Sequence, residues 1–251
     1  MTTLNNRIQS LRRSMENKQL DGFLVADETN ILYFTDFLGA ARLLIPFQGE
    51  SILYVYGVNY QAAREGAKNC QVELMKPGED ADKKAAEQIK KSKLKRLGFD
   101  TLDVLDFIRL KRNLKNVSLK PSNSLVWELR RVKDETEIGY MRKAAGLTDM
   151  GARAATEVIK AGMREYEVAA EVEFAMRKLG SEGVAFDTIV ASGPRSAFPH
   201  GGCTDKKIKK GELIQLDVGA RCQNYRADLT RTFLVGKPTP CLLYTSDAAD
   251  E

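Results

Sequence analysis

The segment Leu213–Val235 constrains the fold more than any other part of this sequence. Apolar and polar residues alternate along both of its arms, which is typical of β-strands with one buried face, and the arms meet at Gln223-Asn224. A two-residue turn there sets residue 217 opposite residue 230. Asp217 and Asp228 therefore lie on one face of the hairpin as diagonal neighbours, with Cα atoms about 7–8 Å apart.

Two aspartates in this arrangement predict a metal site. Burying two carboxylates side by side either forces one to take up a proton or requires a cation between them. A surface hairpin with two solvent-facing aspartates is the simpler alternative. The upstream loop favours the metal site, because it presents His200, the only histidine in the chain, between Pro199 and a Gly-Gly pair. No core packing needs an imidazole in such a loop.

Four motifs follow one another in this half of the chain: IVASG, PH, IKKGELIQLDVGA and YRADLTRTFLVG. Together they resemble the creatinase and aminopeptidase "pita-bread" metallopeptidase family, and within it the Xaa-Pro aminopeptidases and Xaa-Pro dipeptidases. The resemblance implies that Asp217 and Asp228 bind two divalent metal ions and that His200 binds substrate and assists proton movement. Carboxylate-rich ligation suits manganese, with cobalt or zinc as substitutes.

This resemblance also implies the reaction and the partners. The expected activity is cleavage of the bond between an N-terminal residue and proline, so the expected substrate is a proline-containing peptide. Relatives often close the active site across a dimer, and we therefore expect a homodimer of the full-length protein.

The first half of the chain predicts an α/β domain. Helical and extended segments alternate from an amphipathic helix at Leu4–Met15 to a short strand at Val117–Leu119, which indicates a layered domain with a parallel or mixed sheet. The phrases RIQSLRRSMENKQLDGFLV and NILYFTDF resemble the creatinase-like N-terminal domain of the same family, with Asp36 where relatives commonly have glycine. Pro121 ends the last strand and Ser124 can cap a helix. We therefore predict a creatinase-like α/β domain over residues 1–123.

Residues 124–236 predict the first half of an α+β pita-bread domain, with helices followed by strands, and the family pattern stops there. The resemblance implies five metal ligands, of which one histidine and two glutamates follow the two aspartates. Residues 237–251 read KPTPCLLYTSDAADE and depart from that pattern. We expect this tail to be non-native and the chain to be a C-terminally truncated, inactive piece, because two carboxylates alone cannot complete the coordination of two divalent ions.

Two alternatives to a peptidase stay open. A metal-free amidinohydrolase like creatinase shares the fold and would need His200 but neither aspartate. A non-catalytic binding module of the same fold would have no use for metal ligands. The two aspartates favour the peptidase over both.

Charge and hydropathy argue against other partners. The net charge is +5, and its excess lies in residues 1–130, which hold 21 Lys or Arg against 16 Asp or Glu. The densest basic cluster, Lys83–Arg96, has apolar residues at helical spacing and no aromatic residues, which is typical of a solvated helix face and not of a nucleic-acid site. No apolar run is long enough to cross a bilayer, and the first residues contain no hydrophobic signal region. We expect a cytoplasmic protein with no nucleic-acid or membrane partner.

Overall fold

The computed structural model describes residues 3–242 and residue 244, and the chain divides into two compact units, Met1–Val132 and Lys133–Glu251. The sequence places the boundary earlier, after residue 123. The helix at Asn123–Arg131 accounts for the difference, because its Leu125 and Val126 are buried in the core of the first unit. Within the predicted divergent tail, residue 243 and residues 245–251 lie outside the described residues.

A six-stranded mixed sheet with flanking helices forms the first unit. Its elements are α1 Thr3–Asn17, β1 Gly22–Val25, α2 Glu28–Thr35, β2 Arg42–Pro46, β3 Ile52–Tyr56, α3 Gly57–Gly66, β4 Gln71–Met75, α4 Ala81–Lys91, β5 Arg96–Phe99, α5 Val104–Asn113, β6 Ser118–Pro121 and α6 Asn123–Arg131. The strand order is β4-β3-β2-β1-β5-β6. Strand β2 runs antiparallel to both of its neighbours, and the other pairs are parallel. The predicted alternation of helix and strand with a mixed sheet is confirmed.

The core of the first unit lies on both faces of this sheet. Strand β1 is buried along its whole length: Phe23 belongs to one apolar cluster, with Phe34, and Leu24 belongs to the other, with Tyr54. Successive side chains of a strand point to opposite faces, so a strand in the middle of a sheet covered on both sides has an unbroken apolar sequence.

Asp36 caps the C-terminal end of α2 in the left-handed region, with φ 60°. Glycine most often occupies this position, because it has no Cβ to clash there, and aspartate is among the few other residues that adopt it. The backbone N–H of Asp36 donates to Leu32 O, and its carboxylate pairs with Lys68 Nζ at 2.6 Å. The turn therefore forms with aspartate in place of glycine.

Two long helices pack against a small antiparallel sheet in the second unit. Its elements are α7 Glu135–Val158, α8 Glu165–Lys178, β7 Ile189–Ser192, a 3-10 helix at Gly193–Ala197, β8 Leu213–Val218, β9 Arg221–Cys222, β10 Tyr225–Arg226 and β11 Leu229–Leu234. Strands β11, β8 and β7 lie side by side in that order, and β9 pairs with β10. Over the described part of the chain, no helix combines the length and apolar character that crossing a membrane requires.

Close packing of α7 on α8 depends on a glycine. A Cβ built at Gly151 would lie 2.7 Å from Met176 Cγ and 3.3 Å from Val172 Cγ1. Both of those residues are buried in the core of the second unit. Small residues on α7 thus let the two helices approach each other.

Candidate metal centre

The two aspartates lie on a hairpin whose register is the one the sequence predicts. Strands β8 and β11 set Asp217 opposite Thr230. The turn residues Gln223 and Asn224 have φ values of 49° and 63°, and two positive values of this kind define a type I′ turn, which suits the twist of a two-residue hairpin. The same register makes Asp228 the diagonal neighbour of Asp217 on one face, so this geometric prediction is confirmed.

The electrostatics of the pair favour a cation. Asp217 is half-buried, and its Oδ1 is a buried oxygen that has no hydrogen-bond partner among the described residues. Asp228 is exposed, and desolvation raises its pKa, which the neighbouring charge and carboxylate of Asp217 raise further. A buried acceptor left unsatisfied costs about 1–3 kcal/mol, and more if it is charged. A divalent ion between the two carboxylates would remove this cost and the repulsion together, so the residues present fit a metal ion.

Gly219 lets the two arms of the hairpin come close together beside this pair. A Cβ at this position would lie 2.1 Å from the backbone oxygen of Ala227, and 2.9 Å from both Ala185 Cβ and Phe186 Cε1. Ala227 N donates to Ala220 O at 3.0 Å, which ties the arms together at the same level. Only glycine fits here, because any Cβ would collide with the backbone of Ala227, the residue that precedes Asp228 on the opposite arm.

Helix α7 holds the hairpin through two hydrogen bonds. Thr148 is 1% exposed, and its Oγ1 accepts from Ala220 N at 2.9 Å while donating to Ala144 O at 2.9 Å. Nearer the turn, Tyr225 O–H donates to Glu137 Oε1 at 2.6 Å. Sequence reasoning identified neither contact. The only signal for Thr148 was a polar residue at a position that helical periodicity assigns to the buried side.

His200 is exposed, in a turn that follows the 3-10 helix. Within residues 3–242 and 244, no group of three or more His, Cys, Asp and Glu side chains is placed to hold a metal ion. Asp217 and Asp228 thus come together as a pair, and His200 does not join them as a ligand. Its predicted role in substrate binding and proton movement stays a prediction.

Both units match known families. Residues 7–132 match the creatinase/prolidase N-terminal domain, and residues 139–250 match metallopeptidase family M24. The chain is 38% identical over 240 residues to the Xaa-Pro dipeptidase of Pyrococcus horikoshii, a match that covers 95% of this chain and 66% of that protein. The Xaa-Pro dipeptidase of Pyrococcus furiosus is 35% identical over 240 residues, and 66% of it is covered as well. The chain thus spans about two thirds of the length of these relatives.

Solved structures give the same result. The Xaa-Pro dipeptidase from Bacillus anthracis superposes with a TM-score of 0.89 at 31% identity, covering 98% of this chain and 69% of that one. The prolidase from Pyrococcus horikoshii superposes with a TM-score of 0.88 at 33% identity, covering 96% and 68%. The predicted fold class, a creatinase-like α/β domain followed by the first half of an α+β pita-bread domain, is confirmed. This chain belongs to metallopeptidase family M24, with a creatinase/prolidase N-terminal domain preceding its peptidase domain.

Proposed function

We propose that this chain supplies two metal ligands and a substrate-binding histidine to an Xaa-Pro dipeptidase. The observation that carries the proposal is the pair Asp217 and Asp228, which share one face of a hairpin, with one buried carboxylate oxygen of Asp217 that no described residue satisfies. The relatives described above bear the name Xaa-Pro dipeptidase, which supports hydrolysis of the bond before proline as the reaction.

The cofactor in this proposal is a pair of divalent ions, with manganese preferred and cobalt or zinc as substitutes. Family M24 consists of metallopeptidases, and carboxylate oxygens are the ligands that manganese shares with magnesium and calcium. When bound, such ions supply Lewis-acid polarisation of the scissile carbonyl and a water of lowered pKa.

The chain's own residues orient this chemistry. Asp217 is fixed within β8, whose backbone pairs with a strand on each side, so its carboxylate has little freedom to move away. Asp228 lies on the other arm of the hairpin. Gly219, on the arm of Asp217, sets the distance between the two arms. His200 stands on an exposed turn, where its imidazole can bind the peptide and assist proton movement.

We infer in addition that the 251 residues by themselves bind metal weakly and do not hydrolyse peptides. Two protein carboxylates leave most coordination positions of two divalent ions to water, which does not fix the nucleophile in place. The homodimer and the cytoplasmic location expected from the resemblance belong to the same proposal.

A chimera tests the peptidase assignment. Residues 1–236 are joined to the part of the Pyrococcus horikoshii Xaa-Pro dipeptidase that this chain does not match, and hydrolysis of an Xaa-Pro dipeptide is measured with Mn²⁺. We expect activity that is lost on Asp217→Asn and kept on Asp205→Asn, because the Asp205 side chain is 85% exposed and pairs with Arg164 at 3.8 Å. A folded chimera that binds Mn²⁺ but cleaves no Xaa-Pro dipeptide would contradict the assignment.

Chelation separates the peptidase from the metal-free amidinohydrolase. The peptidase loses activity in excess EDTA and recovers it with Mn²⁺, whereas an amidinohydrolase keeps its activity. Hydrolysis of creatine that resists EDTA would support the alternative.

A further inference from the structure

Glu165, the first residue of α8, is a buried carboxylate with an unusual number of hydrogen-bond donors around it. Its side chain is 0% exposed. Ser192 donates to Oε1 through its backbone N and its Oγ, both at 2.8 Å. Thr204 donates to Oε2 through its backbone N at 3.1 Å and its Oγ1 at 2.5 Å, and Arg195 Nε donates to the same oxygen at 3.1 Å. Five donors thus converge on one carboxylate.

These donors surround a single segment, residues 193–203, which we call the His200 loop. Ser192 ends the strand before the loop and Thr204 follows it, so Glu165 joins the two ends. Arg195 lies inside the loop, and its Nη2 donates to the backbone oxygen of Gly201 at 2.5 Å. Because Gly201 directly follows His200, the carboxylate is connected to the candidate catalytic residue through one arginine.

The arrangement requires an anion with two acceptor oxygens. Burial alone would raise the pKa of Glu165, but hydrogen bonds from Thr204 and Ser192, together with the charge of Arg195, lower it. The group therefore stays ionised in the interior. A buried glutamine has only one acceptor oxygen. At this position its NH₂ group would face hydrogen-bond donors that a carboxylate oxygen now accepts from.

Capping of α8 is the simpler role for an acidic residue at the first helical position. Glu165 does not act in that way, because its five donors come from residues that flank the His200 loop or lie within it, and not from the first turn of α8. The first turn is served by Glu167, whose Oε2 accepts from Arg164 N at 2.7 Å.

We propose that Glu165 is a positioning residue for His200, and that its carboxylate holds both ends and the interior of the His200 loop in one conformation. The consequence for substrate binding rests on the proposed function. The positioning itself does not, and it can be measured without substrate or metal.

The imidazole of His200 provides the readout, because it is the only one in the chain. In the untagged 251-residue protein, ¹H–¹³C spectra of the histidine ring give one signal set for one loop conformation. We expect a single set in the wild type and broadened or multiple sets in Glu165→Gln. Glu171→Gln, the same change at an exposed position of α8, should leave the spectrum unchanged.

Loss of stability alone must not produce the same spectrum. Val168 is fully buried on α8, so Val168→Ala destabilises the unit while leaving the five hydrogen bonds intact. This variant should keep the single signal set. If Glu165→Gln does not fold, Thr204→Val removes one donor at similar size and should broaden the signals.

Trypsin gives a second readout at the Arg195–Ser196 bond inside the loop. We expect Glu165→Gln to be cut there about tenfold faster or more, the change that a loss of about 1.4 kcal/mol in local closing free energy produces. A single sharp signal set with wild-type cleavage in Glu165→Gln, or a single set in Thr204→Val, would overturn the positioning role. That result would leave the peptidase proposal standing, whereas an inactive chimera would remove the peptidase proposal alone.

Discussion

Replacing Gly219 by alanine tests how tightly the hairpin holds the two aspartates. The new Cβ would lie 2.1 Å from the backbone oxygen of Ala227. Carbon and oxygen atoms in favourable contact are about 3.3 Å apart, so the two arms must separate by about 1.2 Å. The Cβ cannot move aside without further clashes, because Ala185 Cβ and Phe186 Cε1 each lie 2.9 Å from it.

This substitution should cost about 3 kcal/mol, the upper part of the range for overpacking, because the clash is with backbone. At about 4 °C per kcal/mol for a unit of this size, the melting temperature should fall by about 12 °C. Ala227 directly precedes Asp228, so the shift also moves one carboxylate of the pair, and the affinity for Mn²⁺ should fall.

Thermal unfolding followed by circular dichroism, together with a Mn²⁺ titration of the folded protein, checks both effects. Gly146→Ala is the matched control: it lies exposed on α7 of the same unit, and its Cβ would meet no atom of the described residues within 4 Å. It should stabilise the protein by about 0.5–1 kcal/mol, since alanine favours the helix over glycine. If Gly219→Ala melts within about 1 °C of the wild type and binds Mn²⁺ equally well, the close approach at residue 219 has no part in the site.

Three further substitutions test other contacts. Thr148→Val leaves the buried Ala220 N–H without its acceptor and should cost about 1–3 kcal/mol in urea unfolding, whereas Thr148→Ser should stay near the wild type; equal losses would contradict the hydrogen bond. Gly151→Ala should cost about 1–3 kcal/mol through its clash with Met176, and a double-mutant cycle with Met176→Ala should recover part of that cost; additive losses would exclude the clash. The pKa of Asp228 is raised in the folded state, so between the ordinary aspartate pKa and the raised pKa the folded protein binds more protons than the unfolded chain. The stability of the apoprotein therefore falls as the pH rises through this range. Metal-free Asp228→Asn should therefore melt higher than the wild type at neutral pH and equally below about pH 3; a lower melting temperature at neutral pH would contradict the repulsion.

Local patterns made the hairpin predictable. Alternating polarity and the length of the turn at Gln223-Asn224 together determine the register, and the register determines that Asp217 and Asp228 share a face. The helix and strand bounds of the first unit follow from similar short-range signals. The boundary between the units does not, because α6 belongs to the first unit through burial of Leu125, which only the folded core reveals.

Contacts between distant parts of the chain could not be predicted from one sequence. Thr148 meets Ala220 across 72 residues, and Glu165 meets Thr204 across 39. Neither residue type indicates a distant partner: threonine is common on helices, and an acidic residue at the start of a helix is expected from the helix dipole. Gly219 likewise reads as an ordinary strand residue until the opposite arm is in place.

Manganese binding to the 251-residue chain tests the central claim most directly. Free Mn²⁺ is followed by electron paramagnetic resonance as the metal is titrated into four proteins: the wild type, Asp217→Asn, Asp228→Asn and the exposed control Asp205→Asn. We predict weak but saturable binding by the wild type and by Asp205→Asn, and much weaker binding when either paired carboxylate is replaced, because both carboxylates contribute ligands to the same metal centre. Equal Mn²⁺ affinity in all four proteins, or no binding by the wild type, would contradict a metal centre at this hairpin.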